Sequence, residues 1–186
     1  MIRNSAERYG ALAQSLHWLM FLLVLAAFGL GLTMVDLPVS PQRIRMVGWH
    51  KTAGITILAL AFLRLAWRFA SPPPALPAAM RSWERAAALG AHWLLYALVF
   101  AVPLSGWMMS SALGFSTVYL GVIRLPDLLS RDREVGEMLK IVHFTLNKAL
   151  LALVVLHAAA AFKHHVVDRD DILRRMLPRF RAKEGR

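Results

Sequence analysis

The stretch VHFTLNKALLALVVLH, residues 142–157, is a mostly apolar run with a histidine near its start and another at its end. Fourteen positions of helix advance about 21 Å and turn close to four full circles, so His143 and His157 share one face. This separation is too long for both imidazoles to bind one metal ion. It suits two sites at different depths of a helix that crosses a membrane, where an ionisable residue usually marks a function.

The composition around this stretch is that of a membrane protein. The chain has 186 residues, 58% of them hydrophobic, and a mean hydropathy of +0.50, which is too apolar for an ordinary soluble domain. Four segments are long enough to cross a hydrocarbon layer of about 30 Å as helices. These segments are residues 10–35, 49–69, 84–110 and 141–165. We therefore predict an all-α integral membrane four-helix bundle in one domain, residues 1–186, with a short amphipathic surface helix at 169–180.

The charge and the cysteine count narrow the chemistry. There is no cysteine, which excludes disulfides, thiolate metal sites and a covalently attached c-type haem. The formal net charge is +11, and basic loops that meet anionic lipid account for it, so lipid is an expected partner and nucleic acid is not. Most of the 22 Lys and Arg residues fall on the side that holds both termini, which predicts that both termini are cytoplasmic.

The depths of the histidines predict two paired sites. His17 lies near the cytoplasmic start of the first predicted span, at the depth of His157, and His50 lies at the outer start of the second span, at the depth of His143. Two axial imidazoles suit a haem iron, because a flat porphyrin fits between helices with one ligand from each side. Zinc would need more ligands at each site. We therefore predict two non-covalent b-type haems, ligated by His17 with His157 and by His50 with His143.

Other polar residues have candidate roles around these sites. His92, at the cytoplasmic start of the third span, is an alternative ligand for the inner haem. Arg64, 14 positions after His50, is a candidate partner for a propionate of the inner haem, although a snorkelling arginine is an equally open interpretation. Lys51 is the corresponding candidate at the outer haem. The cytoplasmic end of the predicted bundle is a candidate binding site for a quinone head group. For the two histidines at that end, anchoring at the membrane interface is the simpler role. The candidate quinone-binding residues are Arg68, His164 and His165.

Three stretches resemble one known family, as does the four-span layout. They are SLHWLMFLLVL (15–25), GWHKTAGITIL (48–58) and VHFTLNKALLALVVLHAAAAFKHHVVDRDDILRRMLP (142–178). They resemble the bacterial cytochrome b-561 family, small di-haem b cytochromes of the inner membrane, and the resemblance covers nearly the whole chain. It implies that His92 is a bystander. It also implies four axial ligands, which are the four histidines that depth selects: His17, His50, His143 and His157.

The resemblance also implies an oxidoreductase function. It implies electron exchange with the quinone pool, and some family members are thought to oxidise superoxide at the periplasmic face and to reduce ubiquinone. The predicted outer loops carry several basic residues, and a net positive rim would steer an anion such as superoxide. A mixed, solvated loop is the alternative interpretation of those charges. We predict electron transfer from a periplasmic donor, either superoxide or a redox protein, through two haems to quinone.

Two other functions fit parts of the pattern. The chain would also suit a cytochrome b subunit that couples a periplasmic dehydrogenase or hydrogenase to quinone. A histidine-lined metal transporter or a plain helical scaffold belongs to a different class. A transporter should carry acidic residues inside its spans, and the interiors of the four predicted spans have none.

Overall fold

The fold is built on four long helices, seen in a computed structural model that describes residues 1–77 and 80–178. All four are long and apolar enough to cross a membrane by length and composition. They are α1 (Ala11–Val35), α2 (Pro41–Ala70), α3 (Ser82–Ala112) and α4 (Arg133–Val166). The prediction of an all-α membrane helical bundle is confirmed.

The helices pack in chain order and leave a cleft. Close backbone packing joins α1 to α2, α2 to α3 and α3 to α4, while among the described residues α4 packs closely with neither α1 nor α2. The small core lies between α3 and α4, where Leu98, Val102 and Leu150 are buried together. Large side chains such as Phe62 and Leu156 are exposed on the outside of the bundle, as expected for helices surrounded by lipid.

Two helices begin earlier than the hydropathy pattern predicts. Helix α2 begins at Pro41 and α4 at Arg133, before the predicted spans that start near residues 49 and 141. Polar caps fix the real starts: the Ser40 hydroxyl accepts a bond from the Arg43 N–H at 3.2 Å, with Pro41 at the first helical position. Hydropathy detects only the membrane-crossing part of a helix, whereas caps and proline decide where it begins. His50 and His143 are therefore several turns inside their helices.

Asp132 is the cap that starts α4, and its loss should measurably destabilise the protein. Its carboxylate accepts bonds from the N–H groups of Glu134 at 2.9 Å and Val135 at 3.1 Å. Asp132→Ala is expected to cost about 1 kcal/mol of stability and to lower protection of the first turn of α4 in hydrogen exchange. Asp132→Asn keeps a capping oxygen and serves as the matched control. Equal protection in the two variants would show that the cap contributes nothing.

A small hairpin covers one end of the bundle, which we call the hairpin end. Strands β1 (Val118–Tyr119) and β2 (Ile123–Arg124) pair antiparallel between α3 and α4. The sequence pattern predicts no strand here, because two-residue strands show no alternation. The Lys51 ammonium donates to the carbonyl oxygens of Phe115 at 3.3 Å and Ser116 at 3.2 Å, which ties α2 to the connection that leads into the hairpin.

The opposite end, which we call the terminal end, is held by the two terminal segments. Side chains from the N-terminal part donate to backbone carbonyls of a fifth helix, α5 (Ile172–Met176): Arg8 to Arg174 at 2.8 Å, and Trp18 to Met176 at 2.9 Å. The Arg175 guanidinium donates in turn to the Ala75 carbonyl at 2.7 Å. The last described segment therefore folds back against the start of α1 and the α2–α3 link.

The fifth helix is shorter than the predicted surface helix at 169–180. Helix α5 spans Ile172–Met176, and residues 179 and 180 lie outside the described part of the chain. It ends because Leu177 precedes Pro178 and adopts an extended backbone, with φ −81° and ψ 137°, since a residue before proline disfavours the helical region. At the other side, Arg169 has φ 53° and forms part of the turn that separates α5 from α4.

Candidate functional site

The structure brings the histidines together in the two pairs that depth predicts. The ring centroids of His17 and His157 are 6.3 Å apart, and those of His50 and His143 are also 6.3 Å apart. Helix α4 supplies one member of each pair, while α1 and α2 supply the others. Because α4 packs closely with neither of these helices, the rings meet across the cleft. We call His50 with His143 the hairpin-end pair, and His17 with His157 the terminal-end pair.

Hydrogen bonds fix the orientation of the hairpin-end pair. The Nδ1 atom of His50 lies 2.9 Å from the carbonyl oxygen of Ala27, and that of His143 lies 3.0 Å from the carbonyl oxygen of Val102 and 3.1 Å from Oγ of Ser105. A carbonyl oxygen only accepts, so each Nδ1 carries the proton and each Nε2 keeps its lone pair. This is the tautomer of an imidazole that binds a metal through Nε2.

Glycines on the neighbouring helices make room for the same two rings. A β-carbon at Gly106 would lie 2.9 Å from Cε1 and 3.2 Å from Nδ1 of His143, and one at Gly31 would lie 3.4 Å from Cε1 of His50. Gly54 lines a cavity beside both rings. Gly31 and Gly106 do not stand out in the sequence, because they belong to α1 and α3, which supply no histidine to this pair.

The terminal-end pair has different surroundings. A third imidazole, that of His92 on α3, lies 5.4 Å from His157 between ring centroids, in an edge-on arrangement. The Arg64 guanidinium is within electrostatic range of all three imidazoles. The side-chain hydrogen bonds among the described residues include none to His17, His92 or His157. This site is thus set apart by a nearby cation and by the absence of backbone acceptors.

Two aromatic contacts complete the terminal end near Arg64. The Arg68 guanidinium lies over the rings of Trp93 at 5.2 Å and Tyr96 at 5.7 Å, within the range of a cation–π interaction. Tyr9, just before α1, is half-buried within electrostatic range of Arg64 and Arg68, and its partial burial raises the pKa of its phenol although both guanidinium groups oppose that shift. Tyr9 therefore keeps its proton at neutral pH and is a hydrogen-bond donor that the sequence pattern does not single out.

The other candidate quinone residues lie at the end of α4. Nδ1 of His164 is 2.9 Å from a carboxylate oxygen of Asp168 and 2.8 Å from one of Asp170. Lys163 also forms an ion pair with Asp168, at 2.8 Å, so these polar contacts together close the turn into α5. Nδ1 of His165 is buried without a hydrogen-bond partner in the described part of the chain. Among the described residues, no hydrogen bond or ion pair joins Arg68 to His164 or His165.

The model of the prokaryotic cytochrome b561 family matches residues 8–179 of the chain. The chain belongs to this family. Similar curated proteins include cytochrome b561 homolog 2 of Escherichia coli strain K12, 35% identical over 94% of this chain and 93% of that protein. Another is the probable superoxide oxidase CybB of Yersinia pestis, 32% identical over 95% of this chain and 99% of that protein. Cytochrome b561 homolog 1 of E. coli K12 is 29% identical over 88% and 93% of the two chains.

The function of the four-helix bundle follows from the family to which the chain belongs. The protein is a bacterial transmembrane b-type cytochrome that transfers electrons. The residues present fit a haem: a bond from a metal to an imidazole nitrogen is about 2 Å long, so two imidazoles on opposite sides of one iron have ring centres about 6 Å apart. Both histidine pairs have this spacing, and the hairpin-end pair presents free Nε2 lone pairs.

Proposed function

We propose that the protein carries two b-type haems, one ligated by His50 and His143 and the other by His17 and His157. The main support for this proposal is that the two imidazoles of each pair are the same distance apart, 6.3 Å between ring centroids. When bound, each haem supplies a one-electron redox centre at its iron. Because His143 and His157 are stacked along α4, the two centres lie at different depths and form a path across the membrane.

Two cations are candidate partners for the haem propionates. Arg64 lies within electrostatic range of the terminal-end pair, where a guanidinium binds a carboxylate through two parallel N–H donors. Lys51, next to His50 in the chain, serves the hairpin-end haem. Its ammonium has three donors and the carbonyls of Phe115 and Ser116 use two of them, so one donor remains for a propionate.

We further propose that the protein lies in the inner membrane with both termini in the cytoplasm, so that the hairpin end is periplasmic. Electrons then enter at the hairpin end from superoxide or a periplasmic redox protein, and leave to a membrane quinone. The name of the Yersinia relative supports superoxide as the donor. Basic side chains around the hairpin end, including Lys51 and Arg124, would attract such an anion. The candidate quinone-binding residues at the terminal end are Arg68, His164 and His165.

Absorption spectroscopy of the purified protein tests the proposal. We expect the spectrum of reduced b-type haem and two haems per chain; a colourless protein would refute the proposed function. Superoxide added to the oxidised protein with a quinone should then reduce the haems. Two superoxide ions, each oxidised to O2 by the loss of one electron, should convert one quinone and two protons into one quinol. A haem-loaded protein that does not react with superoxide would instead favour the cytochrome subunit of a periplasmic dehydrogenase or hydrogenase. The apolar side chains exposed on the hairpin, Leu120 and Val122, are consistent with such a docked partner.

Gly106 gives a prediction about one haem alone. In Gly106→Ala the new β-carbon would meet the His143 ring at 2.9 Å, so the imidazole has to move and its bond to iron is lost or weakened. We expect the haem content to fall from two towards one per chain. Gly90→Ala is the matched control on the same helix, because a β-carbon there meets nothing within 4 Å. Unchanged haem content in both variants would show that His143 does not need this space.

A further inference from the structure

The two histidine pairs differ in what accepts their Nδ1 protons. At the hairpin end three acceptors face the rings: the carbonyl oxygens of Ala27 and Val102, and Oγ of Ser105. At the terminal end the described residues provide no such acceptor for His17 or His157. The two pairs have the same distance between ring centroids, 6.3 Å, with interplanar angles of 69° at the terminal end and 90° at the hairpin end, and they differ in the acceptors around them.

Ser105 is placed to accept, rather than to donate, at His143. Its hydroxyl donates to the Val102 carbonyl at 2.8 Å, which uses its one hydrogen and leaves the oxygen lone pairs for the imidazole N–H at 3.1 Å. Ser105 is only 6% exposed, so bulk water does not compete for this bond. A buried hydroxyl that both donates and accepts a hydrogen bond is held in one orientation.

Hydrogen bonding at Nδ1 changes how strongly an imidazole donates electrons. When Nδ1–H is given to an acceptor, Nε2 becomes more basic, and a more basic axial ligand stabilises ferric over ferrous iron. The effect lowers the reduction potential. The acceptors at Ala27, Val102 and Ser105 therefore favour the oxidised form of a haem at the hairpin end.

Charge acts in the opposite direction at the terminal end. The Arg64 guanidinium is within electrostatic range of both His17 and His157, whereas Lys51, next to His50 in the chain, has its ammonium held by the carbonyl oxygens of Phe115 and Ser116. A fixed positive charge in a low-dielectric site disfavours the more positive ferric state. Arg64 therefore favours the reduced form of a haem at the terminal end.

We propose that Ser105, with the Ala27 and Val102 carbonyls, makes the hairpin-end pair the more electron-donating ligand set, so that the haem it holds has the lower reduction potential. This inference rests on the two-haem function proposed above. Haems held by His50 with His143 and by His17 with His157 would then make electron transfer from the hairpin end to the terminal end downhill. Ser105 acts as a positioning residue: it orients the His143 ring and tunes its basicity without touching the iron.

A redox titration of the intact, haem-loaded protein tests this inference. The wild type should titrate as two components. In Ser105→Ala the reduction potential of the lower-potential component should rise. The equilibrium constant for its one-electron reduction should increase roughly three- to tenfold, the factor that corresponds to the net free energy of one hydrogen bond. Tenfold corresponds to about 59 mV for a one-electron couple. The higher-potential component should not move, and Ser105→Thr should restore the wild-type value because it keeps the hydroxyl.

Thr33→Val is the matched control, since it removes a hydroxyl that bonds only to carbonyls of its own helix, those of Gly29 and Leu30. A shift of the higher-potential component in Ser105→Ala would overturn the proposed order of potentials. No shift beyond that of Thr33→Val would overturn the role of Ser105. Both results leave two haems in place, whereas failure of the proposed function would appear in the wild type as fewer than two haems.

Discussion

Replacing His143 by alanine is expected to remove the hairpin-end haem and to leave the terminal-end haem bound. The haem-to-protein ratio should fall from two to one, and the absorbance of reduced b-type haem should fall by about half. In the proposed site His50 and His143 would each supply one of the two bonds from the protein to the iron, and a non-covalent haem would have no other bond to the chain. His157, on the same helix, keeps its own partner at 6.3 Å.

Haem extraction from the purified variant measures this ratio directly. His50→Ala should give the same loss as His143→Ala, because the two residues serve one site. Thr145→Ala, an exposed position on α4, should keep both haems. Loss of both haems with retained helix content in circular dichroism would contradict two independent sites, and retention of both would contradict the ligand assignment.

The second large effect is expected to separate His17 from His92. Both lie near His157, with ring centroids at 6.3 Å and 5.4 Å respectively. Two metal–imidazole bonds on opposite sides of an iron need about 6 Å between ring centres, which His17 provides and His92 does not. His17→Ala should therefore lose the terminal-end haem, while His92→Ala should keep two haems per chain.

The same haem extraction decides between the two residues, with His92→Ala as the matched control for His17→Ala. Imidazole added to His17→Gly during haem loading should restore part of the lost haem, because it fills the missing axial position. Haem loss in His92→Ala together with retention in His17→Ala would assign the ligand to α3. That result would replace His17 in the terminal-end pair and leave the hairpin-end pair untouched.

Much of this arrangement can be predicted from the sequence because a membrane turns sequence position into depth. A residue's distance from the end of an apolar span gives its height in the bilayer, and helical periodicity gives its face. These two rules pair His17 with His157 and His50 with His143, and the structure places each pair together. The helix starts were less accurate, because Ser40 and Asp132 cap α2 and α4 outside the apolar segments.

The sequence by itself determined the number of spanning helices, their apolar character and the depth of each histidine, because all of these depend on local composition and spacing. Only the tertiary structure decided what surrounds the rings. Gly106 and Ser105 on α3 meet His143 on α4, and His92 joins the terminal-end pair. Such contacts depend on which helices pack side by side and how they are rotated. Depth along one helix does not contain that information, which arises only when four helices share one bundle.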